Sequence, residues 1–519
     1  MKKFAGILCV LVLCLSLCAP ALAEPLTAET VTFNVFTRLD PFLKVDPNEI
    51  PMWSVLEEGT NVKMNVTGAV KADYQEKVSL MIAGGELPDA FLCSPKTITE
   101  EYYNTGLFLP LEDLVKEYAP SYAAILADPA VYANCTAPDG HIYALPYGEE
   151  AEWRINHEMF MNTEWLDKLN LEMPTTLDEF YTVLKAFKEQ DPNGNGLADE
   201  IPFCITIAAE NQYWTRLFGL FGLTLDANLE MVTAEGEFVY GPARNEFRTA
   251  LEWLHKLYAE GLLDQECITQ TRSEMQAKGS GEYNVIGSTI WFWLDDFCTA
   301  TETVKYDSVP VLTGGCENPG WICNNTMPGP EGIAITTNCK TPELLMKWAE
   351  YVNQSPAMIQ ELRYGPMAEG AVAYWDENNQ CYLNNEGTPE GMTWEEWSQS
   401  NCIRDMVGYC MTAEQSSVIN AIDPNTARKN GYNDKYMDYL RSTYVTVAHK
   451  AFYADDFEKE EADTIQMDMN DITDSFVADA VMNGITDEQW NAFQQNLQRA
   501  GVERYTAIWQ ASVDKSLGK

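Results

Sequence analysis

Between Val31 and Cys93 the chain alternates strand and helix patterns, and this alternation limits the fold more than any other feature. Val31 to Phe36 reads as a strand, Met52 to Glu58 as a helix and Val62 to Val66 as a strand. A helix from Asp73 to Ala83, stopped by Gly84, then leads to a third strand from Ala90 to Cys93. Such order gives a sheet with helices on both faces, because each connecting helix must bury its apolar stripe on the sheet it spans. The expected fold class is α/β. About 496 residues follow the leader, too many for one core, so two lobes are expected.

The leader has Lys2 and Lys3, an apolar run from Phe4 to about Leu17 and the small-residue end Ala21-Leu22-Ala23. It reads as a secretory signal peptide over residues 1–23, too short for a membrane span. Cleavage after Ala23 gives an extracellular protein. Leu15-Ser16-Leu17-Cys18 offers a second reading as a lipobox, which would leave the protein at the cell surface on a lipidated Cys18. With Lys2 and Lys3 removed the formal charge moves from −44 to about −46, which argues against nucleic acid as a partner. Of 14 cysteines, Cys9, Cys14 and Cys18 lie in the leader, and the odd remainder leaves at least one thiol free. Only Cys316/Cys323 and Cys402/Cys410 are close enough in sequence to suggest a local bridge, and buried free thiols are the expectation.

Around Tyr143 to Arg154 the chain is extended and polar, as in a crossing between lobes. A second unit opens at Thr176 and Glu179, a capping-box pair, with Leu177, Phe180, Tyr181, Leu184 and Phe187 along one helical face. That helix runs into Asp191-Pro192-Asn193-Gly194-Asn195-Gly196-Leu197-Ala198-Asp199-Glu200-Ile201-Pro202. Oxygen-bearing side chains alternate there and a glycine takes the sixth position, the pattern with which a tight loop gathers the six to eight oxygens of calcium. The candidate ligands are Asp191, Asn193, Asn195, the Leu197 carbonyl, Asp199 and Glu200. Pro202 stands where an EF-hand loop has its bidentate Glu, so Glu200 is the substitute. An Asx/Gly turn joining helix to strand is the alternative. In either case the loop is a structural clip.

Further helices are expected over 211–223 and 243–261, and strands over 309–312 and 332–336. From about Ala462 the chain is helical to its end, broken at Gly484 and Gly501. The four histidines, His141, His157, His255 and His449, form no HExxH pair, and no GxSxG, Walker or dinucleotide motif occurs. Aromatic residues are more informative. An indole offers an apolar face to the C–H side of a sugar while carboxylates and amides take its hydroxyls. Trp291 and Trp293 follow a strand from Asn284 to Ile290 whose end should open on an interlobe crevice. Trp153 stands at the first crossing, Tyr213 and Trp214 near a helix start, and Trp375 among polar residues.

Several segments resemble the LipO-like branch of family 1 extracellular solute-binding proteins. They are Gly84-Gly85-Glu86-Leu87-Pro88-Asp89-Ala90, Glu164-Trp165-Leu166-Asp167-Lys168-Leu169, Pro174 to Phe180, the Asp191 loop, Arg363-Tyr364-Gly365, and Asp471-Ile472-Thr473-Asp474 with Trp490. The resemblance runs in the same order along nearly the whole mature chain. It implies a two-lobed, hinge-linked periplasmic-binding-protein-like fold of the class II type with a helical C-terminal extension. It also implies service to the permease of an ABC importer, and calcium in the matching loop of oligosaccharide-binding relatives. The expected division is 30–147 and 305–338 in lobe one, 148–304 and 339–519 in lobe two. The expected function is capture of an oligosaccharide by a monomer without catalysis. A secreted polysaccharide-cleaving enzyme and a peptide- or signal-binding sensor component are the alternatives. Candidate ligand contacts are Arg38, Glu150, Trp153, Trp214, Trp291, Trp293, Arg363 and Trp375.

Overall fold

The structure, a computed structural model, describes residues 25–93, 96–137, 139–149, 157–207, 212–280, 284–291, 294, 305–323, 328–367, 372–376, 381–384, 389–412, 431, 435–442 and 456–516. The leader, with Cys18, lies outside the described residues.

The opening alternation folds as expected. Strands β1 (Val31–Leu39), β2 (Val62–Val70) and β3 (Ala90–Leu92) form a parallel sheet with β1 in the centre, and Ala334–Ile335 returns antiparallel beside β3. Side chains two apart along β1 share a face. Phe33 and Val35 point to one side, where Trp53 of the Pro51–Thr60 helix stacks at 6.5 Å on Trp348. Phe36 points to the other, where Tyr74 of the Lys71–Gly84 helix lies 5.4 Å away. Both helices end on a left-handed residue, Asn61 and Gly85, which turns the chain back to the sheet.

The second sheet has the order Tyr306–Ser308, Glu158–Asn162, Ile286–Trp291, Ile201–Cys204, with only the last pair parallel. Over it pack the Leu177–Glu189 helix, started by the expected capping box at Thr176, and the Asn245–Ala259 helix. The C-terminal extension is three helices, Asp456–Asn483, Asp487–Ala500 and Val502–Ser516, separated at the two predicted glycines. It is tied to this lobe by His255 Nδ1, 2.9 Å from the Val481 carbonyl oxygen, and by Tyr505, whose hydroxyl bonds the buried carboxylate of Glu230.

These pairings move the expected lobe boundaries. Residues 305–323 belong to lobe two, since Tyr306–Ser308 is an edge of its sheet and Val309, Val311 and Leu312 enter its core. Residues 339–411 include the Pro342–Asn353 helix, whose Leu345, Met346, Trp348 and Val352 bury against lobe one. That sheet face would otherwise stay exposed, and this need decides the assignment.

The chain changes lobe three times, between Glu149 and His157, between Cys323 and Pro328, and between Thr412 and Lys435. On lobe one the three passages leave from a single cluster. Tyr147 and Gly329 exchange backbone hydrogen bonds, and Gly148–Glu149 pairs with Cys410–Met411. On lobe two they arrive at another: Trp321 Nε1 donates to the His157 carbonyl at 3.0 Å, Trp321–Cys323 pairs with Leu440–Ser442, and the Tyr436 ring lies 5.3 Å from Trp321. Convergence of all crossings at one place makes this the hinge.

Gly408 helps build it, because a Cβ there would overlap the Gly332 backbone. Gly408→Ala is expected to cost about 2 kcal/mol through overpacking, read by urea denaturation. An unchanged midpoint would show that the two segments can part freely.

Cys93, Cys135, Cys204, Cys267, Cys316, Cys339, Cys402 and Cys410 are free, and of these all but Cys316 are buried. Cys402 and Cys410 therefore form no bridge, and Cys316 is likewise unpaired.

Candidate functional site

The wall that lobe one offers beside the hinge begins at the C-terminal ends of β1 and β3, where open α/β sheets tend to bind ligands. Arg38 at the end of β1 is half-buried, its Nη2 3.9 Å from Cys93 Sγ. Burial works against the guanidinium charge, but Cys93, Asp405, Tyr147 and Glu331 outweigh it and raise the Arg38 pKa. Burial pushes the Cys93 thiol up to about 12, so it is a neutral packing group. Thr37 Oγ1 sits 2.9 Å from the Leu92 carbonyl oxygen and 2.7 Å from that of Met406, which fastens the 404–407 turn to the strand end. Asp405 accepts from Gln399 Nε2 at 2.8 Å and pairs with Arg404 at 3.3 Å. Tyr147 and Tyr409 meet edge-to-face at 5.6 Å. The wall is thus a pair of phenol rings beside a charged cluster.

Lobe two offers an aromatic platform. The rings of His157 and Tyr213 stack at 3.4 Å, and Tyr213 meets Trp291 edge-on at 6.2 Å. His157 and Trp291 are buried, while Tyr213 keeps partial exposure. Tyr213 is therefore the ring of this group with a face left to offer.

The candidate contacts fare unequally. Arg38 stands on the lobe-one wall. Trp291 is fully buried, at 0 % exposure, because it ends the Ile286–Trp291 strand inside a sheet covered on both faces. Trp214 turns into the core against Phe218 at 5.1 Å, since adjacent residues of the Gln212–Phe221 helix point apart and Tyr213 takes the open side. Neither tryptophan is a sugar platform. Arg363 ends the Pro356–Tyr364 helix, half-buried, with its guanidinium 5.6 Å from the Tyr364 ring. Tyr364 in turn contributes to the field at Arg404, so this helix end borders the lobe-one cluster. The Trp375 backbone lies in the Ala373–Asp376 strand, paired with Cys381–Asn384. Glu150, Trp153 and Trp293 lie outside the described residues. His157, Tyr147 and Asp405 carried no signal in the sequence, whereas Tyr213 was visible beside the tryptophan chosen in its place.

The Asp191 loop joins the Leu177–Glu189 helix to the Ile201–Cys204 strand, at the opposite end of its paired Ile286–Trp291 strand from Trp291. Asp191, Gly194 and Gly196 all take left-handed φ values, which curls the loop. Asp191 accepts from the amides of Gly194 and Gly196 at 3.0 and 3.1 Å, and Asn193 and Asn195 both donate to Asp199. Glu200 Oε1 is buried without a hydrogen-bond partner. Burial raises the Glu200 pKa, and the nearby charges of Asp191 and Asp199 raise it further. Among the described residues no three His, Cys, Asp or Glu side chains are grouped as a metal site, so any ion here would depend on amide and carbonyl oxygens as well. An orphaned carboxylate oxygen beside two more carboxylates fits a hard cation.

A family model described as bacterial extracellular solute-binding protein matches residues 49–359. The fructooligosaccharide ABC transporter substrate-binding protein FusA of Streptococcus pneumoniae serotype 4 is 28% identical over 501 residues, covering 94% of this chain and 91% of FusA. Lipoprotein LipO of Bacillus subtilis is 30% identical over 220 residues, 42% of each chain. A solved structure of FusA in complex with kestose superposes with a TM-score of 0.77 at 27% identity, covering 94% of this chain and all of that one. A FusA EF-hand mutant in complex with fructo-nystose gives 0.76 at 26%, with the same coverage.

Proposed function

The chain belongs to the bacterial extracellular solute-binding protein family, and from that premise we propose that it captures an oligosaccharide between its lobes and delivers it to the permease of an ABC importer. The observation that carries this reading is the match along almost the full length of a fructooligosaccharide-binding relative. The site adds a physical reason. Tyr213, backed by His157, presents an aromatic face beside the hinge, and the Arg38–Asp405 cluster presents charged hydrogen-bonding groups on the other lobe. A sugar touching both walls stabilises the closed form, because only that form contacts it from two sides. The protein acts as an exported monomer, freed by cleavage after Ala23 or tethered at Cys18.

We further propose a structural calcium ion held by Asp191, Asn193, Asn195, the Leu197 carbonyl, Asp199 and Glu200. Bound there, it would neutralise the acidic loop and fasten the helix to the strand.

Calorimetric titration with kestose and related oligosaccharides tests the capture reading. Binding with the sugar recovered intact is expected, and multiple-turnover cleavage would overturn it. Tyr213→Ala is expected to weaken the best ligand by about 2 kcal/mol, roughly 30-fold. Unchanged affinity would remove Tyr213 from the site.

A further inference from the structure

The Gln212–Phe221 segment is a 3-10 helix, in which residues three apart lie one above another on the same face. Tyr213, Arg216 and Gly219 therefore share a face. Both ends of that face are fixed at the hinge cluster of lobe two. Tyr213 stacks on His157, and the Gly219 carbonyl accepts from the Gly320 amide at 2.8 Å, one residue before the Trp321 that bonds His157. Arg216 is held between them, on the wall that carries the aromatic platform.

The described residues around it satisfy it only in part. Arg216 is only 8 % exposed, and its hydrogen bond among the described residues runs from Nη1 to the neutral Thr215 hydroxyl at 3.3 Å. No ion pair among the described residues involves it; burial draws its pKa down to about 10, while Tyr213 and Asp226 oppose that fall from further away. A guanidinium carries five N–H donors in a planar fork, and a buried cation without acceptors lowers the stability of the protein that holds it. The fork matches two adjacent oxygens, whether vicinal hydroxyls or a carboxylate.

We propose that Arg216 is a ligand-binding residue of the lobe-two wall, donating a pair of N–H groups to two neighbouring sugar oxygens while the Tyr213 ring covers the sugar's C–H face. This assignment rests on the oligosaccharide-capture reading and deepens it. A neutral sugar meets the fork with vicinal hydroxyls, and a uronic acid meets it with its carboxylate.

The test is Arg216→Met in the whole protein, titrated with kestose and with trigalacturonic acid, alongside melting curves without sugar. Methionine fills much the same space without charge, so the sugar-free variant is expected to melt at or above the wild-type temperature. Affinity for whichever sugar the wild type binds is expected to fall tenfold or more. Loss confined to kestose identifies hydroxyl recognition, and loss confined to the uronide identifies carboxylate recognition. A lower melting temperature, or affinity within threefold of wild type, overturns the assignment. Wild-type protein binding neither sugar counts against capture itself, and the role of Arg216 falls with it; wild-type binding beside an unaffected variant counts against Arg216 alone.

Discussion

Trp291→Ala is expected to lower the stability of the sugar-free protein by about 3–5 kcal/mol, the range for truncating a large buried ring. The indole is fully buried in a cluster with Phe160, Cys204, Met275 and Ile286, so its removal leaves a cavity against the lobe-two sheet. Urea denaturation measures the loss. Any change in sugar affinity should follow from disturbance of Tyr213, which meets this indole edge-on. A variant as stable as wild type but unable to bind sugar would return Trp291 to the binding face and contradict its burial. Tyr213→Ala is the comparison, with the opposite pattern of small stability loss and large affinity loss.

Removing calcium with a chelator is expected to lower the melting temperature by about 5–10 °C. A ligand present at a hundred times its dissociation constant stabilises the state that binds it by about 2.7 kcal/mol, and lobes of this size shift by roughly 2–4 °C per kcal/mol. Without the ion, Asp191, Asp199 and the orphaned Glu200 repel one another between a helix and a strand that the loop must join. Sugar affinity should remain within about threefold, because the loop lies at the opposite end of the Ile286–Trp291 strand from the aromatic platform. Asp191→Ala should abolish the calcium-dependent shift. A melting curve indifferent to the chelator would reduce the loop to an Asx/Gly turn.

Local features of the chain were legible because they depend on neighbours in sequence. The β1 to β3 alternation, the Thr176 capping box, and the helix ends at Gly484 and Gly501 all follow from residues within a turn or two of each other. Family membership was also readable, since it rests on ordered motifs along the chain.

What the sequence could not decide was which lobe a segment joins and which way a side chain faces. The Pro342–Asn353 helix has an apolar stripe that suits either core, and only the uncovered face of the β1 sheet, beside Trp53, assigns it to lobe one. Trp291 and Tyr213 are both aromatic residues near the hinge. One is walled in because its strand runs between covered faces, and the other stays open because its helix turns it outward. Periodicity sets a residue's face relative to its own element. Exposure depends on what long-range packing brings against that face, and this the tertiary structure alone determines.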